Sequence, residues 1–235
     1  MAPVPFPERK QTRRSRLPQK RKKRNMVPCK RFYNIFAKPK GCLGRLLLRG
    51  LNARHAGMGD WGIAHLDVEP PREILDIGSG GGRHLHALLT RYPGAYGTAV
   101  DYAPLAVKMT RRFNRAYVKA GRCVSILGDV SDLTLPAGKF DLVTAFETIY
   151  FWPGLITCFE QVARVVKPGG TFLVVNEADG IASAGRFLEK RVDAMTLYKP
   201  SEVEEALRAA GFSEVTSVHH NRRPWFAAIA KKQRV

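Results

Sequence analysis

The sequence predicts a doubly wound α/β domain: a seven-stranded, mostly parallel sheet that ends in an antiparallel hairpin, preceded by an N-terminal helical cap. Three observations carry this. From residue 72 onward, short β-branched runs alternate with helix-length amphipathic runs, the pattern of a parallel sheet with crossover helices. A run of glycines follows the first strand directly and opens a helix. The last two strand-like runs are joined by only 220–224, too short for a crossover helix, so they must pair antiparallel.

The elements follow in order. Residues 26–40 hold the spaced aromatics Phe32, Tyr33 and Phe36, which suit one face of a short helix. Residues 42–52 read as an amphipathic helix with Leu43, Leu46, Leu47 and Leu51 on one stripe. Gly57, Gly59 and Gly62 should break the next stretch, and Trp61, Ile63 and Leu66 suggest a second short apolar element before Pro70-Pro71. Residues 73–77 form a buried strand and 83–91 a helix, stopped by Tyr92-Pro93-Gly94. A strand over 95–100, a helix over 104–120 and a strand over 123–127 come next. The pattern then gives a strand over 140–146, a helix over 155–166, a turn at 167–170 and a strand over 171–176. A helix over 201–210 ends at Gly211, and strands over 213–219 and 225–230 close the chain.

Three regions result: a basic tail over 1–25, a helical cap over 26–71 and the main domain over 72–235. The net charge of +19 is uneven: residues 1–40 hold 14 Lys and Arg against Glu8, leaving +6 for the rest. The tail has too few large apolar residues to build a core and reads as disordered. It also suits an anchor for phosphates, and Met26 offers an alternative start. Scattered cysteines without a CxxC pair argue against a disulfide framework and for a reducing, cytoplasmic setting. No eighteen-residue apolar run marks a membrane span. The histidines show no metal-ligand spacing, so no metal is expected.

The chemistry sits in Asp76-Ile77-Gly78-Ser79-Gly80-Gly81-Gly82. Gly78 and Gly80 can turn the chain sharply and admit a ligand to the backbone, and Gly82 lets the helix start pack close to the sheet. A dinucleotide site wants G-x-G-x-x-G, but here Arg83 holds the third position. No Gly-Lys-Ser/Thr follows, so a Walker loop fails too. Asp76, two residues before the first glycine, suits a cationic ligand better than a pyrophosphate. Asp101 ends the second strand, where a carboxylate can accept both hydroxyl protons of a ribose; its other role would be to cap the helix before Pro104.

With these residues in view, the chain resembles the class I S-adenosylmethionine-dependent methyltransferases, in the small-molecule branch similar to the ubiquinone and menaquinone biosynthesis enzymes. The resemblance covers roughly 72–232. It rests on the glycine run, Val100-Asp101, Gly128-Asp129-Val130, Phe140-Asp141-Leu142-Val143 and Val166-Lys167-Pro168-Gly169-Gly170. It implies a Rossmann-like fold with S-adenosyl-L-methionine as cofactor. Asp76, Gly78, Ser79 and Gly80 would serve its methionine part and Asp101 its ribose, with Gly82 also among the cofactor-binding residues. Tyr102 would lie on the adenine, and Asp129 and Val130 would meet the adenine's amino group and ring. Phe146 would stand beside the methyl.

Methyl transfer from a sulfonium is an in-line displacement, so holding the partners in line is the main task. Three acceptor-side candidates are Glu147 and Tyr150, which follow the fourth strand, and His55 in the cap. Phe151 and Trp152 either wall the pocket or pack the next helix. A small-molecule acceptor is expected. RNA or protein methylation through the basic tail is not favoured, because Glu147-Thr148-Ile149-Tyr150 stands where base-methylating enzymes often carry Asn-Pro-Pro-Tyr. A non-catalytic binding module remains open.

Overall fold

The computed structural model describes residues 38–181, 192 and 195–234. The basic tail, the aromatic run of 26–36 and the possible start at Met26 lie outside the described residues. One seven-stranded sheet forms the centre. In chain order the strands are β1 (Glu73–Ile77), β2 (Tyr96–Asp101), β3 (Cys123–Leu127), β4 (Phe140–Phe146), β5 (Val166–Asn176), β6 (Phe212–His219) and β7 (Phe226–Lys232). Their spatial order is β3-β2-β1-β4-β5-β7-β6. Strands β1 to β5 pair in parallel, and β7 pairs antiparallel with both β5 and β6. The expected mostly parallel sheet with a closing hairpin is therefore present. The order reverses between β1 and β4, which opens a crevice at their C-terminal ends.

Helices cover both faces. On one lie α2 (Ala56–Ala64) and α3 (Arg83–Arg91), which share a core of Met58, Ile63, Leu85, Leu88, Ile74 and Leu173. On the other lie α6 (Leu155–Val165) and α7 (Pro200–Ala209), packed through Phe159, Val162, Val203 and Leu207 against Val143 and Phe172. Alternating side chains feed the two cores, as a sheet buried on both faces requires. Over the crevice lies α1 (Gly41–Arg54), which packs on α4 (Pro104–Phe113) through Leu48, Ala106 and Met109.

Four local expectations are corrected. First, Gly57, Gly59 and Gly62 do not break a helix; they lie inside α2. A Cβ at Gly59 would come within 2.3 Å of the His84 ring, and one at Gly62 within 2.5 Å of Val175 Cγ2. These glycines let α2 sit against α3 and β5, a gain that offsets their weak helix propensity. Second, the expected leucine stripe of α1 is only partly turned inward: Leu47 and Leu51 are half-buried, and Leu51 lines the cavity. Leu43 and Leu46 are 52% and 65% exposed, whereas Leu48 and Gly44 are buried. The buried face is set by α4: a Cβ at Gly44 would meet Leu105 at 2.9 Å.

Third, the long helix expected over 104–120 is two, α4 and α5 (Arg115–Lys119). Asn114 divides them. It is fully buried, and its side-chain amide donates to the carbonyls of Thr110 and Gly82 at 3.1 and 2.9 Å. Such a side chain competes with the helical ladder, and here it ties the helix end to the glycine loop. Fourth, 167–170 is no turn between elements but part of β5. Between paired positions, β4 advances only from Phe140 to Leu142 while β5 advances from Val166 to Thr171. The excess residues form a bulge, with Gly169 at φ +75°.

Candidate functional site

The glycine turn is built by its backbone. Gly78, Gly80 and Gly82 have φ of +71°, +53° and +82°, the left-handed region that glycine enters without a steric cost. Gly78 N and Ser79 N both donate to Val100 O, at 2.8 and 3.2 Å, which pins the turn to the tip of β2. Gly80 N donates to Asp101 Oδ2 at 2.9 Å, and Ala103 N donates to Asp101 Oδ1 at 2.9 Å. Asp101 is thus the peg between the turn and the start of α4. Burial raises its carboxyl above the usual range, and the two amide donors oppose that shift.

The turn floors a cavity of about 370 Å³, within the size range of small-molecule sites. Eleven of the thirteen site residues expected from the sequence line it: Gly78, Ser79, Gly80, Asp101, Tyr102, Asp129, Val130, Phe146, Glu147, Tyr150 and His55. Helix α1 roofs it with Leu48 and Leu51, and Asn52 donates its side-chain amide to Gly81 O at 3.0 Å. A Cβ at Gly80 would find nothing closer than Leu48 Cδ2 at 3.8 Å. The space above this glycine belongs to the cavity and is free for a ligand.

Asp76 and Gly82 do not line that wall. Gly82 is where α3 meets α4, since a Cβ there would lie 2.8 Å from Thr110 Cα. Its contact is thus with a helix and not, as expected, with the sheet. Asp76 is buried in β1, where Thr144 Oγ1 donates to its Oδ1 at 2.9 Å and its Oδ2 has no hydrogen-bond partner among the described residues. Burial pushes its carboxyl from 3.8 up to about 7. The native chain therefore keeps a proton that the unfolded chain releases near pH 4. The associated stability is full below that point and is lost as pH rises through about 7. Asp76→Asn removes this dependence. Its stability relative to wild type should rise between about pH 5 and pH 8, by at most a few kcal/mol at roughly 1.4 kcal/mol per pH unit. Urea unfolding at both pH values checks this, and a difference constant with pH would rule it out.

Elsewhere along the cavity wall, β4 exits into Glu147, a non-glycine residue at φ +55°. Its Oε1 accepts from Tyr150 Oη at 3.1 Å and from the Glu177 amide. Tyr150 Oη in turn accepts from Ala178 N at 3.1 Å. Burial and the adjacent Glu147 carboxylate hold the Tyr150 hydroxyl well above 10, so it stays a phenol. Glu147 is raised by burial. Glu177 is lowered, mainly by the His55 hydrogen bond and by Arg54. His55 Nε2 stands 3.5 Å from Glu177 Oε2 and 3.9 Å from Glu147 Oε2. Of the aromatic run, Trp152 packs on Phe159 with ring centroids 5.8 Å apart and also lines the cavity, so both of its expected roles are met in one side chain.

Glu177 was missed because nothing local marks it. The signal available was its place just after a parallel strand, at the edge where ligands bind. His84 was missed as well. Its ring stacks on Phe146 at 4.2 Å, and burial drives it down to about 3, so it is a neutral wall. Counted along the chain, the histidines have no ligand spacing, whereas the fold gathers His55, Glu147 and Glu177 with ligand atoms within 4.8 Å of one another.

Comparison with known proteins agrees with this geometry. Residues 75–174 match the family model described as "Methyltransferase domain". Nocamycin O-methyltransferase of Saccharothrix syringae is 28% identical over 182 residues, covering 66% of this chain and 64% of that protein. The 27-O-demethylrifamycin SV methyltransferase of Amycolatopsis mediterranei (strain S699) is 29% identical over 193 residues, 77% of this chain and 67% of that one. Across the curated relatives, coverage of their own length falls as low as 31%. Among solved structures, mitomycin 7-O-methyltransferase MmcR superposes with a TM-score of 0.70 at 21% identity, over 81% of this chain and 57% of that one. The [4+2]-cyclase SpnF superposes at 0.65 and 16% identity, over 76% and 81%. The fold is thus shared with a protein named for different chemistry.

Proposed function

We propose that this chain, whose residues 75–174 match a methyltransferase domain and which is 28% identical to an O-methyltransferase, transfers a methyl group from S-adenosylmethionine to a small molecule in the cavity above Gly80. The observation that carries this is the open space over a left-handed Gly80 whose amide is held by Asp101. Gly78, Ser79 and Gly80 present backbone to the methionine part, with the buried carboxyl of Asp76 behind them. Asp101 keeps acceptor capacity for ribose hydroxyls, since each oxygen accepts a single bond from the described backbone. Tyr102, Asp129 and Val130 bound the adenine end, and Phe146 stands at the methyl.

The cofactor supplies an already activated methyl group. The chain's own residues then position the acceptor. Glu147 and His55 face the acceptor, and Tyr150 acts through Glu147 by holding its Oε1. The roof of α1 encloses the site, which favours a small acceptor over RNA or protein. The relatives named for small molecules point the same way. A cytoplasmic setting fits the free thiols of Cys42, Cys123 and Cys158. No helix among the described residues is long and apolar enough to cross a membrane.

The test is calorimetry followed by turnover. S-adenosylmethionine should bind one per chain, and NAD under the same conditions should give no heat. S-adenosylhomocysteine should then accumulate with some member of a panel of hydroxylated and amino acceptors. No saturation at millimolar S-adenosylmethionine would overturn the reading. Saturable binding with no turnover across the panel would leave a binding module instead.

A further inference from the structure

We infer that His55 Nε2, Glu147 Oε2 and Glu177 Oε2 form a site for a divalent metal ion at the acceptor end of the cavity. The three donors come from separate parts of the chain: the junction of α1 and α2, the exit of β4 and the exit of β5. The fold alone brings them together. One imidazole and two carboxylates form a donor set suited to divalent first-row ions such as Mn²⁺, Fe²⁺ and Zn²⁺.

The distances suit an ion after a small closure. Metal–ligand bonds of about 2.0–2.2 Å place neighbouring ligand atoms roughly 3–3.6 Å apart. The His55–Glu177 separation of 3.5 Å already meets this, and His55–Glu147 at 3.9 Å is close. Glu147 is set in advance, because Tyr150 and the Glu177 amide occupy Oε1 and leave Oε2 toward the cluster. All three residues line the cavity and are half-buried, so an ion would keep open positions toward a bound acceptor.

Charge points the same way. Two carboxylates converge here, and Arg54, whose Nη2 lies 3.0 Å from Glu177 Oε2, neutralises one of them. Its side chain is 64% exposed. An exposed ion pair contributes only about 0.2–1 kcal/mol, so a divalent ion displaces it readily. The acceptor that fits such a site carries an oxygen able to coordinate the ion, as in a phenol, enol or α-hydroxy ketone.

The test is manganese binding to the full chain after treatment with a chelator and its removal. Titrated Mn²⁺ should lose its free-ion electron paramagnetic resonance signal up to one equivalent. Glu177→Gln and His55→Asn should each weaken binding by at least about tenfold, the loss that even indirect partners of metal ligands cause. Arg54→Gln should bind Mn²⁺ at least as tightly as wild type. Circular dichroism confirms that the variants fold. No saturation at millimolar Mn²⁺, or saturation unaffected by both ligand substitutions, overturns the site. S-adenosylmethionine calorimetry on the same wild-type sample reads the cofactor seat independently, so either conclusion can fail without the other.

Discussion

Gly80→Val should abolish S-adenosylmethionine binding while the protein still folds. Two features set this expectation. Gly80 sits at φ +53°, where a β-branched residue is strained. That strain costs on the order of 1–2 kcal/mol, against a typical domain stability of roughly 5–15 kcal/mol. The new Cβ meets no protein atom closer than 3.8 Å, so the damage to packing is small. The same space is where the ligand must lie, and two methyl groups placed there exclude it. Calorimetry should show no heat, while thermal unfolding remains cooperative at a slightly lower midpoint. Gly78→Val is the contrasting case. Its Cβ would fall 2.1 Å from Thr148 Oγ1, so that variant should lose the loop itself and unfold earlier. If Gly80→Val bound S-adenosylmethionine normally, the seat would have to be elsewhere.

Asp101→Ala should lose affinity and stability together. The carboxylate accepts from Gly80 N and Ala103 N, so its removal leaves two amides without their acceptor. Hydrogen bonds to a charged group contribute about 1.5–3 kcal/mol each before relaxation. A net stability loss of about 1–3 kcal/mol is therefore expected, together with roughly ten- to a hundredfold weaker cofactor binding. Asp101→Asn separates the two effects. Its one oxygen can still accept an amide, but its NH₂ faces a second donor. It should recover part of the stability and little of the affinity. Urea unfolding and calorimetry on the same samples measure both. Affinity unchanged within error in Asp101→Ala would remove Asp101 from the ligand's reach and leave it as a structural peg.

The way Asp101 acts shows where sequence reasoning stopped. That an acid at the tip of β2 faces the glycine turn follows from strand order and spacing. That the same carboxylate already holds the turn and the start of α4 does not, because those bonds depend on how two loops approach. The capping role and the ligand role stand as alternatives along the chain; in space Asp101 is not the cap of α4, which is Ala103, but it accepts the Ala103 amide and keeps acceptor capacity for a ligand. Asp76 is the opposite case. Its motif position suggested a ligand contact, but β1 turns its side chain toward Thr144, behind the wall.

The strand pattern, the glycine register and the closing hairpin were written in the sequence, because each depends on residues a few positions apart. Alternation, left-handed glycine and a loop too short for a crossover are all local constraints. Other features were settled only by packing. Helix α2 tolerates its glycines because His84 and Val175 crowd it, and α1 buries Leu48 because α4 lies beneath it. Asn114 divides a helix to reach Gly82. Glu177 joins His55 and Glu147 although 122 and 30 positions separate it from them in the chain. Contacts at such separations carry no periodic signature; they arise when the folded sheet brings the exits of β4 and β5 beside the cap.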